Sequence, residues 1–388
     1  MTVADAPVFV PPGLRNVVVT STELGDVRGE EGFCHFRQYS AVELARTRTF
    51  EDVWFLLLEG RLPTATEAAR LAEEVVPLRA LPVELRAALP AIAAAGTRPE
   101  PVKGLRTALS LLAAVRDVPP LWDADPATRR ATALLVCAVT PTILAALHRL
   151  RAGREPLEPR ADLSASANWL YLVTGEDPRP EHVRAVEQYL VVTADHGFAA
   201  STFTARVVAS TGADLVSAVV AAIGAFSGPL HGGAPDRALA ALDEIGGPDR
   251  IDAWVRAKVG AGERIMGFGH AVYRTDDPRA VLLREVATGL GGDLVGFATA
   301  VEAGVVRALA ELKPDRRLYP NVEFYAGVVM ELCGIPREMF TPTFAVSRVV
   351  GWSAHVLEQA RERRIIRPVA RYTGPPAPQA VPERSAAG

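Results

Sequence analysis

Three of the seven histidines stand beside glycine in the sequence: His196 before Gly197, His231 before Gly232, and His270 after Gly269. A histidine beside glycine is presented from a loop, with backbone amides free to contact a ligand. Its imidazole can donate, accept or transfer a proton near neutral pH. Taken one at a time such histidines are more often structural, so their meaning depends on their neighbours.

Acidic, amide and guanidinium groups follow these histidines in short motifs. His270 is followed by Tyr273-Arg274 and Asp277-Pro278-Arg279, and later come Asn321-Val322-Glu323 and Phe344 to Arg348. A planar guanidinium can hold a carboxylate with two parallel hydrogen bonds, and a placed carboxylate can remove a proton. Only three of the 42 basic residues are lysines. A single arginine is therefore weak evidence, since most will lie on solvated helix faces.

Helices must position these groups, because helical periodicity dominates the sequence. After Thr66-Glu67, apolar residues recur at helical spacing through residue 75, and four further stretches behave alike: 105–115, 180–194, 278–290 and 296–312. Strand signals are scarce, with one short run at 17–19. The sequence predicts a predominantly α-helical protein.

Glycine and proline mark where the predicted helices stop. They cluster at 227–235 and 260–269, around His231 and before His270, where a loop can approach a ligand closely. The charged segment 153–159 predicts an exposed connection, and the tail 373–388, rich in proline, alanine and glycine, predicts a frayed end.

Composition excludes several classes of protein. The 388 residues are 49% hydrophobic and 22% charged, as in globular proteins, and a net charge of −3 gives no case for nucleic acid. Cys34, Cys137 and Cys333 form no CxxC pair, and residues 1–12 lack a basic segment followed by an apolar one. We therefore predict a cytoplasmic protein without a disulfide framework or signal peptide.

Two apolar stretches raise the question of a membrane span. Residues 131–148 carry no formal charge, but threonines, a proline and His148 interrupt them. The second stretch, residues 215–230, is also short for a helix that spans a membrane. A buried core helix is the favoured interpretation of both. The sequence also lacks a GK[ST] phosphate loop and paired-histidine metal spacing, and Val272 stands where a dinucleotide GxGxxG would need its third glycine.

In combination the motifs resemble the citrate synthase family. The matching elements are DH at 195–196, PLHGGA at 229–234, GFGHAVYR at 267–274 with DPR at 277–279, NVE at 321–323, and FAVSR…GW…H from Phe344 to His355. Residues 32–63 also resemble the opening helices of that family. The resemblance covers roughly residues 13 to 374, and motifs in this order and spacing are highly specific.

The resemblance implies a role for each group. Glu323 would be the base that removes a proton from the methyl group of acetyl-CoA, His231 the donor to the enolate oxygen, and His270 the donor to the keto oxygen of oxaloacetate. His196, Arg279, Arg348 and Arg367 would hold oxaloacetate, with Arg367 contributed by the neighbouring subunit of a homodimer. Phe344 would pack near the reacting groups. The implied CoA contacts are Arg264, Ile265, Met266, Gly267, Phe268, Gly269 and Arg274. No cofactor or metal is implied.

The resemblance also implies an all-α fold of two domains. Residues 1–232 and 336–388 would form a large helical domain and 233–335 a smaller one, with the substrates in the cleft between them. Closure of the cleft would exclude water during enolisation.

The leading functional prediction is citrate formation from acetyl-CoA, oxaloacetate and water. The nearest alternative is 2-methylcitrate formation from propionyl-CoA, which differs by one methylene and which the shared motifs do not distinguish. A non-catalytic CoA-binding relative is the alternative of a different class. The chain departs from the common pattern at Gly197, Ala199, Pro235 and Glu323, and the last stands where an aspartate is usual.

Overall fold

The structure, a computed structural model, describes residues 8–97, 100–228, 231–232, 234–270, 272–314 and 318–381, with 234–237 described for their backbone alone. Within these residues sixteen α-helices are present, which confirms the predicted all-α class. They are α1 Ala41–Thr47, α2 Phe50–Glu59, α3 Ala65–Val75, α4 Val83–Ala94, α5 Pro101–Val115, α6 Pro126–Arg151, α7 Ala165–Thr174, α8 Pro180–Thr193, α9 Ala200–Ser210, α10 Leu215–Phe226, α11 Ala234–Ile245, α12 Ile251–Gly260, α13 Pro278–Leu290, α14 Asp293–Leu312, α15 Val322–Leu332 and α16 Phe340–Glu362. Short 3₁₀ turns cover Pro12–Leu14, Val76–Arg79, Pro248–Arg250 and Arg337–Met339.

Local sequence explains where these helices start. The helix expected near Thr66 begins at Ala65, because Thr64 accepts from the Glu67 amide while the Glu67 carboxylate accepts from the Thr64 amide. Pro180 and Pro278 occupy the first turns of α8 and α13, where a missing N–H costs nothing. The predicted stretches 105–115, 180–194 and 296–312 match α5, α8 and α14 to within four residues at each end, and 278–290 coincides with α13.

A small antiparallel sheet near the N-terminus was not predicted. Strands β1 Gly25–Arg28, β2 Phe33–Phe36 and β3 Tyr39–Ser40 pair in that order, with Gly25 opposite Phe36 and His35 opposite Ser40. The valine run at 17–19 forms no strand. Strands this short carry too few alternating residues to be recognised by periodicity.

Helix α16 lies at the centre of the core. It packs against α6, α8, α9 and α10, and its Trp352 and Phe340 side chains are fully buried. Helix α6 is the only described helix long and apolar enough to span a membrane, and 83% of its most apolar window is buried inside the protein. It therefore forms part of the core, as predicted, and the apolar face of α10 is buried too.

Helices α11 to α15 form the other packed group, in which α13 and α11 pack on α15, and α12 packs on α14. Helices α13 and α15 also contact α8, and α11 contacts α16. The predicted domain boundary at Gly233 lies outside the described residues, and the division at 233 and 335 stays a prediction.

The tip of the β1–β2 hairpin touches the segment after His270. The amide of Arg274 donates to the Gly29 carbonyl at 3.0 Å, and a Cβ atom at Gly29 would lie only 2.2 Å from the carbonyl oxygen of Val272. Only glycine allows this approach. The hairpin thus supports the loop that carries His270.

Candidate active site

His270 lies in the loop between α12 and α13 with its protonation defined by the backbone. Its Nδ1 accepts the amides of Val272 at 2.9 Å and Tyr273 at 3.1 Å. Because amides can only donate, Nδ1 carries a lone pair and the single proton of the neutral ring sits on Nε2. Burial, aided by the charge of Arg279, lowers the pKa of His270 to about 4. The ring is therefore a neutral N–H donor at physiological pH.

Arg279 opens α13 and is almost fully buried. Its Nε and Nη2 donate to the two oxygens of Asp277 at 3.0 and 2.8 Å, a bidentate pair. The same carboxylate accepts the amide of Val322 at 3.1 Å, so it also joins this helix to the start of α15. Arg279 Nη2 lies 3.4 Å from His270 Nε2. Two N–H groups this close favour an acceptor oxygen between them.

The loop 264–269, assigned to CoA, is joined to the segment before Glu323. The amide of Gly269 donates to Tyr319 at 2.8 Å, and the Asn321 amide and side chain donate to Gly267 and Gly269 at 2.9 Å each. Gly267 and Gly269 have φ values of +84° and +83°, which glycine adopts without strain. Among the predicted CoA contacts, Ile265 and Gly267 are buried, Met266, Phe268 and Gly269 half-buried, and Arg264 and Arg274 exposed.

Glu323 lies in the first turn of α15. Asn321 is the N-cap, and its Oδ1 accepts the amide of Glu323 at 3.1 Å. The Glu323 Oε2 atom is inaccessible to solvent and has no hydrogen-bond partner among the residues described. Burial raises the pKa of Glu323 to about 8, against the attraction of Arg279 and Arg348. An unpartnered carboxylate oxygen with a raised pKa has the properties of a general base.

His231 lies between α10 and α11, where Pro229, Leu230 and Gly233 of its motif fall outside the described residues. Its Nε2 is 2.8 Å from Ser201 Oγ, which itself accepts from Trp352 Nε1 at 3.0 Å. The Ser201 hydroxyl donates to His231 Nε2. The proton of the neutral ring therefore sits on Nδ1. Burial and the nearby Arg348 lower the pKa of His231 to about 4.

Arg348 and Phe344 lie one turn apart on α16, and both are buried. The Arg348 Nε donates to the Thr193 carbonyl at 2.8 Å, and its guanidinium carbon is 4.7 Å from the centre of the Phe344 ring. Burial lowers the pKa of Arg348 to about 10, while Asp195 opposes this shift. Its terminal nitrogens have no hydrogen bond among the described residues, so they can bind a ligand.

His196 meets His270 across the site, with ring centres 5.5 Å apart. Its Nε2 is 3.2 Å from the Tyr273 hydroxyl. Burial lowers the pKa of His196 well below its usual value, and the positive charge of Arg279 adds to this. Like the other two, this histidine is neutral.

Arg367 does not join this cluster within one chain. It is exposed in the segment after α16, where the preceding Ile366 amide donates to Ser210 Oγ at 3.0 Å. Ser210 ends α9, whereas Ser201 beside His231 lies in its first turn, and the nine residue steps between them span about 13 Å. The structure thus brings together His196, His231, His270, Arg279, Glu323, Phe344 and Arg348.

Several supporting residues were not predicted. Ser201 and Trp352 orient His231, Asp277 holds Arg279, and Asn321 joins the two loops. Asp195 is buried with its Oδ1 3.2 Å from His355 Nε2. These residues stand inside or next to the recognised motifs, which was the available signal, but the partners of Ser201, Trp352 and Asn321 lie 30 to 151 residues away in the chain.

Comparison with known proteins agrees with this geometry. The family model described as citrate synthase, C-terminal domain, matches residues 13–369. Citrate synthase of Deinococcus radiodurans is 39% identical, over 94% of this chain and 96% of its own length. The crystal structure of citrate synthase from Pyrobaculum aerophilum superimposes with a TM-score of 0.85 at 38% identity, covering 95% of this chain and 94% of that one.

A third similar structure is a complex. It is citrate synthase from the archaeon Thermoplasma acidophilum with carboxymethyl coenzyme A and oxaloacetate, at a TM-score of 0.87 and 30% identity, covering 95% of this chain and 97% of that one. The predicted resemblance is confirmed: the chain belongs to the citrate synthase family.

Proposed function

We propose that the chain is a citrate synthase that converts acetyl-CoA, oxaloacetate and water to citrate and CoA. The reaction has three parts: formation of a carbon nucleophile from the acetyl group, its addition to the keto carbon of oxaloacetate, and hydrolysis of the resulting thioester. Among the described residues there is one suitable side chain for each requirement of enolate formation and of addition to the keto carbon.

The observation that carries this proposal is the buried Oε2 atom of Glu323, which has no hydrogen-bond partner in the part of the chain that the structure describes. A buried polar atom without a partner is costly, so it calls for an explanation, and a catalytic role is one. In the proposed reaction this oxygen takes a proton from the methyl group of acetyl-CoA. Its raised pKa suits that task, because a more basic carboxylate is a stronger proton acceptor.

His231 stabilises the enolate that this step creates. Its Nδ1–H donates to the thioester oxygen as negative charge develops there, as backbone amides do in an oxyanion hole. The Ser201 hydroxyl at Nε2 keeps the proton on the other nitrogen. A neutral imidazole suffices, because the donor needs only to share its proton.

His270 and the buried arginines receive oxaloacetate. The His270 Nε2–H donates to the keto oxygen, which leaves the keto carbon open to attack by the enolate carbon. Arg279 and Arg348, with His196, bind the two carboxylates, and both guanidinium groups are already desolvated and held by Asp277 and Thr193. Pre-positioned donors of this kind need little rearrangement when the substrate binds.

The carbon–carbon bond forms between the acetyl methyl carbon and the keto carbon, giving citryl-CoA. Water then cleaves the thioester, releasing citrate and CoA. Residues Arg264 to Gly269 and Arg274 hold the CoA moiety in this proposal, with the exposed arginines at 264 and 274 suited to its phosphates.

The two alternatives are less well supported. The relatives reported above are named citrate synthases, which favours acetyl-CoA over the propionyl-CoA of a 2-methylcitrate synthase. A non-catalytic CoA-binding protein would have no use for a buried carboxylate oxygen without a partner among the described residues, beside Arg279 and Arg348, together with two histidines whose tautomers are fixed.

A thiol-release assay tests the proposal directly. Purified protein should release CoA from acetyl-CoA only when oxaloacetate is present, and more slowly from propionyl-CoA at equal concentration. Glu323→Gln should abolish release while oxaloacetate still binds with nearly the same affinity by calorimetry. Absence of release with both thioesters would refute the enzymatic function, and faster propionyl-CoA turnover would favour the alternative.

We also propose a cytoplasmic homodimer in which Arg367 completes the partner's site. Its exposure and its distance from Ser201 within one chain support this. Arg367→Ala and Glu323→Gln subunits should each be inactive alone, yet regain part of the activity when mixed under conditions of subunit exchange. No recovery in demonstrated heterodimers would refute the shared site.

Closure of a cleft between residues 233–335 and the remaining chain completes the proposal. The oxaloacetate ligands come from both parts, since Arg348 lies on α16 and Arg279 on α13. Binding of the substrate would then draw the two parts together. Structures with and without oxaloacetate should differ by a rotation of these parts, and identical arrangements would contradict closure.

A further inference from the structure

Tyr273 contacts three of the groups that the proposed function assigns to oxaloacetate, although it has no assigned role itself. Its side chain is only 4% exposed. The ring centre lies 4.7 Å from that of His270 and 5.6 Å from that of His196, and the Arg279 guanidinium carbon is 5.6 Å from it. A residue so placed can influence how each of the three binds.

The Tyr273 hydroxyl and the His196 ring form a hydrogen bond whose direction matters. Tyr273 Oη is 3.2 Å from His196 Nε2. Burial raises the pKa of Tyr273, so the phenol keeps its proton, and His196 is neutral because burial lowers its pKa. Either the phenol donates to Nε2, and the ring proton sits on Nδ1, or the ring donates from Nε2 and leaves Nδ1 without a proton.

Cys34 on strand β2 decides between the two directions. Its buried thiol lies near the Tyr273 hydroxyl and influences the pKa of that group. If the phenol accepted from His196, its own proton would have to go to sulfur, which is a weak acceptor. If the phenol donates to the imidazole nitrogen, a far stronger acceptor, the thiol can donate to the phenol oxygen. The second arrangement satisfies all three groups.

We propose that Tyr273 is a positioning residue that holds His196 as its Nδ1–H tautomer, so that this histidine donates to a carboxylate of oxaloacetate. The inference rests on the proposed function for the identity of that ligand. With the opposite tautomer, the free nitrogen of His196 would face the substrate carboxylate with a lone pair, and the two would repel.

The same residue acts on the second histidine by a different route. The backbone amide of Tyr273 donates to His270 Nδ1 at 3.1 Å, which keeps the His270 proton on Nε2. Side-chain substitution removes the effect on His196 but leaves the backbone amide in place. The Tyr273→Phe variant therefore separates the two, because it keeps the ring, its packing and the His270 tautomer.

Nitrogen-15 NMR of histidine-labelled, full-length protein tests the tautomer without any turnover. The His196 resonances are identified by their loss in His196→Gln. In the wild type they should show a protonated Nδ1, and in Tyr273→Phe a large share should shift to protonated Nε2, while the His270 pattern stays unchanged. A wild-type His196 protonated on Nε2, or a tautomer unaffected by Tyr273→Phe, overturns the proposal.

Steady-state kinetics supply the second readout. Tyr273→Phe should raise the KM for oxaloacetate about tenfold, as expected for one weakened charge-assisted hydrogen bond, with the KM for acetyl-CoA unchanged and kcat within about threefold.

The matched control is Tyr325→Phe, which removes a buried hydroxyl bonded to Glu302, outside the site, and should leave both KM values unchanged. Equal changes in both KM values would indicate a merely structural role. If wild-type protein releases no CoA, the proposed function fails while the NMR result still stands.

Discussion

The side-chain amide of Asn321 donates to the carbonyl of Gly269 at 2.9 Å, so the residue that begins α15 is tied to the residue that precedes His270. The other end of the same amide caps the helix by accepting the Glu323 N–H. One side chain thus sets the separation between the proposed base and the proposed donor to oxaloacetate. Errors of about 1 Å at such positions can cost about 100-fold in rate.

Substitution of Asn321 should separate these two roles. Asn321→Ser keeps an oxygen for the helix cap but loses the donor to Gly269, whereas Asn321→Ala loses both. Both variants should therefore lower kcat by about 10- to 100-fold, but only the alanine variant should lose about 1 kcal/mol in urea unfolding. Equal turnover in the serine variant and the wild type would show that the tie to Gly269 is dispensable.

Glu323→Asp tests whether the backbone has adapted to the longer acid. The family resemblance leads us to expect aspartate at this position, but an aspartate side chain would withdraw the carboxylate by about an ångström here. We expect kcat to fall about 100-fold, with the oxaloacetate KM nearly unchanged. An equally active or faster aspartate variant would mean that the site accepts either length of acid.

The pH dependence of kcat/KM should follow the ionisation of Glu323. This group acts only as a carboxylate, and its pKa is raised to about 8. The rate should therefore rise from pH 6 to about pH 8 and level off above it, since the active fraction grows with pH until the pKa is passed. His231 and His270, with pKa values lowered to about 4, remain neutral throughout that range. A flat profile between pH 6 and pH 9 would contradict this assignment.

Ser201→Ala should act on the site through His231, although it also removes the acceptor of the Trp352 Nε1–H. Without the hydroxyl at Nε2, the imidazole can place its proton on either nitrogen, so the donor to the enolate is present only part of the time. We expect kcat to fall about tenfold at unchanged oxaloacetate affinity. Thr204→Ala on the same helix is the control, because among the described residues its hydroxyl bonds only to the Ala200 carbonyl; a similar loss there would indicate general damage to α9.

Gly351→Ala should destabilise the protein at the point where α16 meets Asp195. A Cβ atom there would lie 2.3 Å from the Ala194 carbonyl oxygen and 3.0 Å from Asp195 Oδ1. Relief requires backbone movement beside Arg348, so unfolding free energy should drop by about 1–3 kcal/mol and turnover should fall. Gly296→Ala, on the exposed side of α14 with nothing within 4 Å, should be neutral or slightly stabilising. Unfolding curves in urea measure both.

Sequence reasoning predicted the chemistry of the site better than its scaffolding. His231, His270 and Glu323 stand in short local motifs, so their types and order were visible without a structure. The residues that orient His231 are distant in sequence: Ser201 lies 30 residues away from it, and Trp352, which donates to Ser201, lies 151 residues from that serine. Such pairings depend on how helices pack, which periodicity along one chain does not reveal.

The secondary structure was likewise predicted in part and missed in part. Long amphipathic helices such as α14 were predicted to within a few residues, because their apolar spacing is a local signal. The β1–β2 hairpin was missed, since its strands of four residues carry little periodicity. Arg367 was assigned to oxaloacetate by family resemblance. Its proposed site lies in a second subunit, so this assignment stays a prediction.

The contact between Gly29 and Arg274 also bears on how the protein is made. A ribosome adds about 5–20 residues each second, so the hairpin emerges about 12–50 seconds before the loop against which it packs. Contacts of such sequence separation form slowly, because a long loop of chain must close first. The pocket for oxaloacetate, built on that loop and on α16, is accordingly among the last parts of the nascent chain to assemble. Chains released before α16 is synthesised would possess most of the hydrophobic surface of the enzyme and none of its activity.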